Sequence, residues 1–314
     1  MRYGLPYKGS KNGIAEWIVD NLPAAETFCD LFFGGGAITH RAMLSGKYKS
    51  FVANDIDKDL PEFFLECAYG QHTTDKHTEW ISRDDFDRRK KTDTYVSLVW
   101  SFSNNRKDYL YGKSIEAMKC AYHKAIYFDD IDALKPFGFN LTLSEKEHVY
   151  DRYLDYQKQL KTQVKRIENE AIERQIEVER LQSLQSLQSI QRLQSLKTFG
   201  TDYQNVPIPD GSLIYCDIPY VGTNCGNYQG FDHQRFYEWA AKQDNIYISE
   251  YQMPEDFVEV AIISKSILSA SNGNSGVAEE KIFTNRRTYD QLSSDVKERI
   301  SLDTAKQTSI FDFL

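Results

Sequence analysis

The sequence predicts an α/β fold, one sheet assembled from both ends of the chain with a mostly helical insertion between them, and three observations predict it. Strand-like and helix-like segments alternate from Asn12 to Asp55, with a glycine run breaking the chain between them. The same alternation returns after Gly200. Between Gly138 and Gly200 there is no glycine or proline, which favours helix over that stretch. Alternating strands and helices imply a parallel sheet, because parallel neighbours need crossover connections.

Taken in order, Asn12 to Asn21 reads as helix and Glu26 to Phe33 as strand. Gly34-Gly35-Gly36 then turns the chain into a helix from Ala37 to Leu44, and Ser50 to Ala53 forms a second strand ending at Asn54-Asp55. Late in the chain, Ser212 to Cys216 is a strand, Phe231 to Gln243 a helix, and Asn245 to Ser249 and Val258 to Ser264 further strands. The expected organisation is a core from residues 1–60 and 201–290, an insertion over 61–200, and a flexible tail over 291–314.

Ser144 and Glu147 have the spacing of a capping box, so a long helix is expected to start there. Val149, Tyr153, Tyr156, Leu160, Val164, Ile167 and Ala171 place one apolar stripe along it. Helix persisting to Lys197 would be about 80 Å long at ~1.5 Å per residue, more than a compact domain spans. Leu181, Leu184, Leu187, Ile190, Leu193 and Leu196 recur every third residue. On an α-helix each step of three lags by ~60°, so the apolar positions wind round the helix and no single face is apolar. The expectation is a low-complexity spacer; an oligomerisation helix would want a heptad this repeat lacks.

Composition narrows the class of protein. With 314 residues, 41% hydrophobic and 27% charged, the chain is an ordinary globular one. No stretch approaches the ~18 apolar residues of a membrane span, and the first ten residues lack the order of a secretory signal, so no membrane association and a cytoplasmic location are expected. The five cysteines form no C-x-x-C pair and read as reduced thiols. His72, His77, His123, His148 and His233 show no ligand spacing, so no metal is expected. A net charge of -8 argues against coating nucleic acid by bulk attraction, yet Arg83 to Lys124 holds ten basic and six acidic residues, a local surplus of four.

The chemistry gathers at strand ends. Asp30-Leu31-Phe32-Phe33-Gly34-Gly35-Gly36 closes a strand and opens a helix, where glycines admit a ligand to the backbone and the first N–H groups suit an anion; tight turns look the same. Asn54-Asp55 ends the next strand, where an acid can accept hydrogen bonds from ribose hydroxyls or merely cap a helix. Most informative is Asp217-Ile218-Pro219-Tyr220, directly after a strand. Asp217 and the Ile218 carbonyl can each accept one N–H of an exocyclic amine while Tyr220 stacks on its ring, leaving the nitrogen lone pair free to attack a methyl group. A strand-ending turn with a structural tyrosine is the plainer reading.

The order Tyr7-Lys8-Gly9-Ser10-Lys11, Phe32-x-Gly34-x-Gly36, Asn54-Asp55, insertion, Asp217-Ile218-Pro219-Tyr220 resembles the DNA adenine-N6 methyltransferases of the α arrangement, the group of bacterial and phage DNA adenine methylases. Ile248-Ser249-Glu250-Tyr251 and Glu280-Lys281-Ile282-Phe283 resemble that group's carboxyl-terminal half. The resemblance implies a Rossmann-like sheet that binds S-adenosylmethionine, double-stranded DNA as partner, and a target-recognition region in the insertion. It implies cofactor contacts from Tyr7, Lys11, Asp30, Phe32, Gly34, Gly36, Asp55 and Asp217, with Asp217, Ile218, Pro219 and Tyr220 as the catalytic segment around a flipped adenine. This chain departs from the family at Ile218, where a proline is usual; the carbonyl survives, but the fixed φ is gone and a new N–H needs a partner.

Within the insertion, Trp100 to Tyr109 combines aromatic, amide and basic side chains, and Asn104, Asn105, Arg106, Lys107 and Lys113 are the candidate DNA contacts. A polar surface loop anchored by Trp100 is the plainer reading. Rival functions are the same chemistry on cytosine N4 or an RNA adenine, and a catalytically impaired DNA-binding relative, which Ile218 would favour. In the tail, Gln307-Thr308-Ser309-Ile310-Phe311 resembles the short peptide by which bacterial replication and repair proteins bind the sliding clamp, with Gln307, Ile310 and Phe311 as its contacts; packing back on the protein's own core is the alternative.

Overall fold

The computed structural model describes residues 2–163, 174–190, 193–221, 230–268, 275–298 and 300. Val164, Ile167, Ala171, Cys225, Gln307, Ile310 and Phe311, singled out in the sequence above, lie outside the described residues.

One seven-stranded sheet runs in the order β3-β2-β1-β4-β5-β7-β6. Its members are β1 (Thr27–Asp30), β2 (Ser50–Asn54), β3 (Leu196–Phe199), β4 (Leu213–Asp217), β5 (Ile246–Glu250), β6 (Phe257–Leu268) and β7 (Ser275–Asn285). The first five are parallel; β7 runs antiparallel to β5 and β6 antiparallel to β7. Strand order reverses direction between β1 and β4, and ligands of open α/β sheets sit beyond the carboxyl ends of the strands at such a switch point. β1, β2, β4 and β5 are buried along nearly their whole length because a parallel sheet is covered on both faces. Cys29, Ile214, Cys216, Ile218, Phe236, Ile246 and Ile248 form part of one buried core beneath it.

The chain divides into two compact units, one of residues 11–61 and 194–314 that carries the sheet, the other of residues 1–10 and 62–193. In the second unit the Lys113–Phe128 helix packs on the Val149–Gln163 helix, burying Tyr122, Ile126, Tyr153, Tyr156 and Leu160. Among the described residues no helix is long and apolar enough to cross a membrane.

Helix does not persist to Lys197, in keeping with the length argument: one helix spans Val149–Gln163, Gln175 is extended at φ −105° and ψ 91°, and a separate helix covers Ile176–Gln185. Two expectations for the insertion are corrected. The Ser144 and Glu147 capping box does not start it, for the Ser144 hydroxyl accepts instead from the Lys146 N–H and helix begins at Val149. The Leu-Gln-Ser repeat is no exposed spacer, since Leu181, Leu184 and Leu187 are wholly buried and Ile190 nearly so. Leu181 and Leu184 are buried within the Ile176–Gln185 α-helix, where a spacing of three still shares a face, and the chain then tightens at Ser186–Ser189 into a 3₁₀ turn that holds Leu187. Beyond it Leu196 opens β3, a parallel strand on β2.

Candidate active site

At the end of β1, Asp30 is buried, its Oδ2 accepting from the Thr39 hydroxyl at 2.7 Å. Its Oδ1 is buried without a hydrogen-bond partner. Burial pushes the carboxyl up to about 7; the Thr39 hydroxyl and the Phe32 N–H oppose the rise, and the Asp217 and Asp55 carboxylates add to it. The glycine turn that follows has Gly34 at φ +50° and Gly36 at φ +69°, a left-handed backbone that suits glycine. A Cβ on Gly36 would lie 2.2 Å from the Phe33 ring, so the space at this glycine is filled by the chain's own aromatic side chain. Phe32 packs among Tyr203, Phe231 and Phe236 at centroid distances of 5.4 to 5.7 Å.

Past β2, Asp55 is buried and ties the turn together: Oδ2 accepts from the Gly34 N–H at 2.8 Å and Oδ1 from the Asp57 N–H at 2.9 Å. Asn54 bridges three strand ends, donating to the Leu31 and Thr201 carbonyls and accepting from the Thr201 N–H.

Asp217 closes β4 and faces Lys11, whose Nζ lies 3.3 Å from Asp217 and 3.6 Å from Glu280. The ammonium also sits 4.2 Å over the Tyr220 ring. Tyr220 donates its hydroxyl to Glu280 at 2.8 Å and meets the Tyr251 ring edge-on at 4.5 Å. Burial pulls the Lys11 ammonium down, but the Asp217 and Glu280 carboxylates together outweigh it and its pKa is raised. Burial raises Asp217 despite the opposing pull of Lys11. Ile218 turns its side chain into the core and is 2% exposed, so only its backbone is placed to act at the site. The Pro219 carbonyl accepts from His233 Nε2 at 2.7 Å, and Glu250 receives the Val221 and Tyr251 N–H groups.

The structure therefore brings Lys11, Asp217 and Tyr220 into contact, and links Asp55 to Gly34. Asp30 stands at the end of β1, which pairs directly with β4. Tyr7 belongs to the other compact unit, where its carbonyl accepts from the Ser10 N–H. Missed in the sequence as site residues are Thr39, His233, Glu250 and Glu280. A signal for Glu280 existed: it stands two residues before Ile282 on a strand, and Ile282 is wholly buried.

The Trp100 to Leu110 segment, in the other unit, is a hairpin, with a bridge between Ser101 and Tyr109. At its tip Ser103, Asn104 and Arg106 take φ of 50°, 55° and 59°, a conformation that side chains other than glycine adopt at a cost of about 1 kcal/mol or more each. Asn105 is spent on the turn itself, donating to Asp108 and accepting from the Lys107 and Asp108 N–H groups. Arg106 Nε donates to Ser97, and Lys107 and Lys113 are exposed. Phe102 at the tip is 60% exposed. Buried Arg180 holds the hairpin's base, donating to the carbonyls of Leu98, Val99 and Ser101. Four of the ten basic residues are paired, Arg83 with Glu116, Arg88 with Asp85, Arg89 with Asp93 and Glu79, and Lys90 with Asp87, and of these carboxylates only Glu79 lies outside the acids already counted against the surplus.

Among the described residues no group of three His, Cys, Asp or Glu is arranged to hold a metal ion. No curated protein matches the chain. Residues 7–271 do match a family described as D12 class N6 adenine-specific DNA methyltransferase. That span takes in the glycine turn, the insertion and the Asp217 to Tyr220 segment, and the chain belongs to this family of adenine-specific DNA methyltransferases.

Proposed function

We propose that the chain transfers a methyl group from S-adenosylmethionine to N6 of an adenine flipped out of duplex DNA. The observation that carries this reading is the cluster of Lys11, Asp217, Glu280 and Tyr220 at the carboxyl end of β4, beside the end of β1. The donor set fits the cofactor's chemistry. Asp30, Asp55 and Asp217 are close enough for Asp217 and Asp55 both to raise the Asp30 pKa, and Asp30 Oδ1 is buried and unpartnered, a setting that favours a positively charged ligand. S-adenosylmethionine, when bound, supplies the electrophilic methyl group. Asp30, Asp55 and the Gly34 turn would hold it, with Lys11 and Asp217 toward the reacting end; Phe32 and Gly36 support the turn by packing. The role of Tyr7 rests on the family resemblance alone.

Asp217 and the Ile218 carbonyl accept the two N–H groups of the target amine and so direct its lone pair outward, while Tyr220 offers a ring face for the base. The proton that the nitrogen sheds after alkylation can pass to Asp217, whose raised pKa suits it to accept. A base must leave the duplex to reach such a pocket. The hairpin tip with Phe102, Asn104, Lys107 and Lys113 is the proposed DNA-contacting surface, and Asn105 and Arg106 shape it.

Incubating the protein with tritiated cofactor and either DNA or RNA, then digesting to nucleosides, tests the reading. N6-methyldeoxyadenosine is the expected product; N4-methyldeoxycytidine, label in RNA alone, or none would reject it. Asp217→Ala is expected to lower the transfer rate about 30- to 1000-fold, the ~2 to 4 kcal/mol of a lost charged acceptor in a dry site, as read in single-turnover assays. A variant with undiminished turnover would remove Asp217 from the mechanism.

A further inference from the structure

Glu280 reaches the site from β7, sixty-three residues along the chain from Asp217. Two groups converge on its Oε2, the Tyr220 hydroxyl at 2.8 Å and Lys11 Nζ at 3.6 Å. The same ammonium stands 3.3 Å from Asp217 Oδ1 and 4.2 Å over the centre of the Tyr220 ring. All three ionic side chains are largely withdrawn from water, 12% exposed for Lys11, 22% for Asp217 and 14% for Glu280. Two carboxylates thus share one ammonium in a partly dry place, where such interactions are stronger than at a surface.

We propose that Glu280 is a positioning residue for methyl transfer: it fixes the Tyr220 ring through the phenol and divides Lys11 between two carboxylates, so that Asp217 is not locked in a private ion pair.

This inference rests on the methyltransferase reading above. The Tyr220 ring is held at its far end by Glu280, on one face by Lys11 and by a T-shaped contact with Tyr251. A ring held by three contacts presents one orientation to an incoming base, so less freedom is lost when the base stacks. Were Glu280 absent, the whole ammonium charge would fall to Asp217, and a carboxylate drawn onto a single cation is a poorer acceptor for a neutral amine.

The charges that face Asp217 come from every element around it. Lys11 stands on the 3₁₀ turn Lys11–Ile14, Asp30 on β1, Tyr215 on β4 with Tyr220 just beyond it, Glu250 on β5 with Tyr251 after it, and Glu280 on β7. Burial raises the Asp217 pKa first; Lys11 lowers it, Glu280 raises it, and the Tyr220 hydroxyl lowers it. Removing the Glu280 charge therefore moves Asp217 ionisation to lower pH, because a repelling carboxylate is lost and Lys11 is no longer shared.

The test compares Glu280→Gln, which keeps an oxygen for the Tyr220 hydroxyl and removes the charge, with Glu280→Ala, which removes both, and with Tyr220→Phe, which removes the donor. Glu280→Ala is expected to lose about 10- to 100-fold in single-turnover rate with little change in KM for DNA, and Glu280→Gln to recover part of that loss. In Glu280→Gln the acid limb of the rate profile moves to lower pH, and so does the Asp217 carboxyl titration followed by carbon-13 NMR in the resting protein. Losses from Glu280→Ala and Tyr220→Phe are expected to overlap in the double variant rather than multiply. An unmoved Asp217 titration in Glu280→Gln, full activity in Glu280→Ala, or independent losses in the double variant would overturn the inference. If Glu280→Ala does not fold, the glutamine and phenylalanine variants decide it. The NMR titration needs neither cofactor nor DNA, so an unaltered protein that makes no N6-methyladenine would count against the proposed function while the titration still decides the role of Glu280.

Discussion

Asp30 carries the least comfortable charge in the described site. Its carboxyl is pushed up to about 7 by burial, well above the ~3.9 of an unfolded chain. A raised acid contributes stability that is fully present below the unfolded value and is lost as pH rises through the folded one, so the protein is expected to weaken between about pH 4 and 7 by roughly 2 to 4 kcal/mol from this group. Asp30→Asn should flatten that slope; melting temperatures of both proteins across pH 4 to 8 check it, and parallel curves would contradict it. Ile218 poses a different question. The family usually has proline there, but this side chain is 2% exposed in a core that includes Cys29, Leu31, Cys216 and Phe236, so it acts as a core anchor, whereas its carbonyl is the acceptor in the mechanism we propose. Ile218→Pro is expected to lower stability by about 1 to 3 kcal/mol, read as a drop in melting temperature, because the smaller ring leaves space behind and deletes an N–H. An unchanged melting temperature would mean that isoleucine merely loosens the turn.

Among the elements, the Ile176–Gln185 helix departs furthest from its expected role. It packs against the Thr94–Val99 and Val149–Gln163 helices, and its Arg180 reaches three carbonyls at the base of the Trp100 hairpin. Burial lowers the Arg180 pKa to about 10, still far above neutrality, so the guanidinium remains a charged strut. Beneath it Glu177 accepts from Tyr111 and Gln175 and faces His123. A repeat serving as a spacer would tolerate truncation. Instead Leu184→Ala is expected to cost about 2 to 5 kcal/mol, the usual range for emptying a fully buried leucine site, whereas partly exposed Leu193→Ala should cost much less. Denaturant unfolding of the two variants checks this; equal, negligible losses would restore the spacer.

For the molecule as a whole, the family match spans residues 7–271, and the chemistry we propose stands at the carboxyl edge of the parallel strands, where open α/β sheets bind their ligands. The tail adds a separate proposal, that Gln307, Ile310 and Phe311 bind a sliding clamp and so raise the local concentration of the protein at newly made DNA. Titrating a peptide of residues 305–314 against the clamp, beside one with those three positions changed to alanine, checks it. Selective binding of the unaltered peptide is expected, and equal or absent binding of the two would leave the tail without this partner.

Much of the core was legible from residue order because its signals are local. Strand propensity, glycine turns and a carboxylate after an apolar run located β1, β2, β4 and β5, the Gly34 turn and Asp217, and their spacing along the chain carried the family resemblance. Three features were settled only by folding. Glu280 joins Asp217 because β7 returns antiparallel beside β5, a pairing that no short window contains. Asn105 looked able to read a base edge, but its amide is consumed by the turn that displays its neighbours. The three-residue leucine repeat has no common face on one long α-helix, yet it is buried because the α-helix is short, carrying Leu181 and Leu184, and gives way to a 3₁₀ turn that carries Leu187, a break that packing, not propensity, selects.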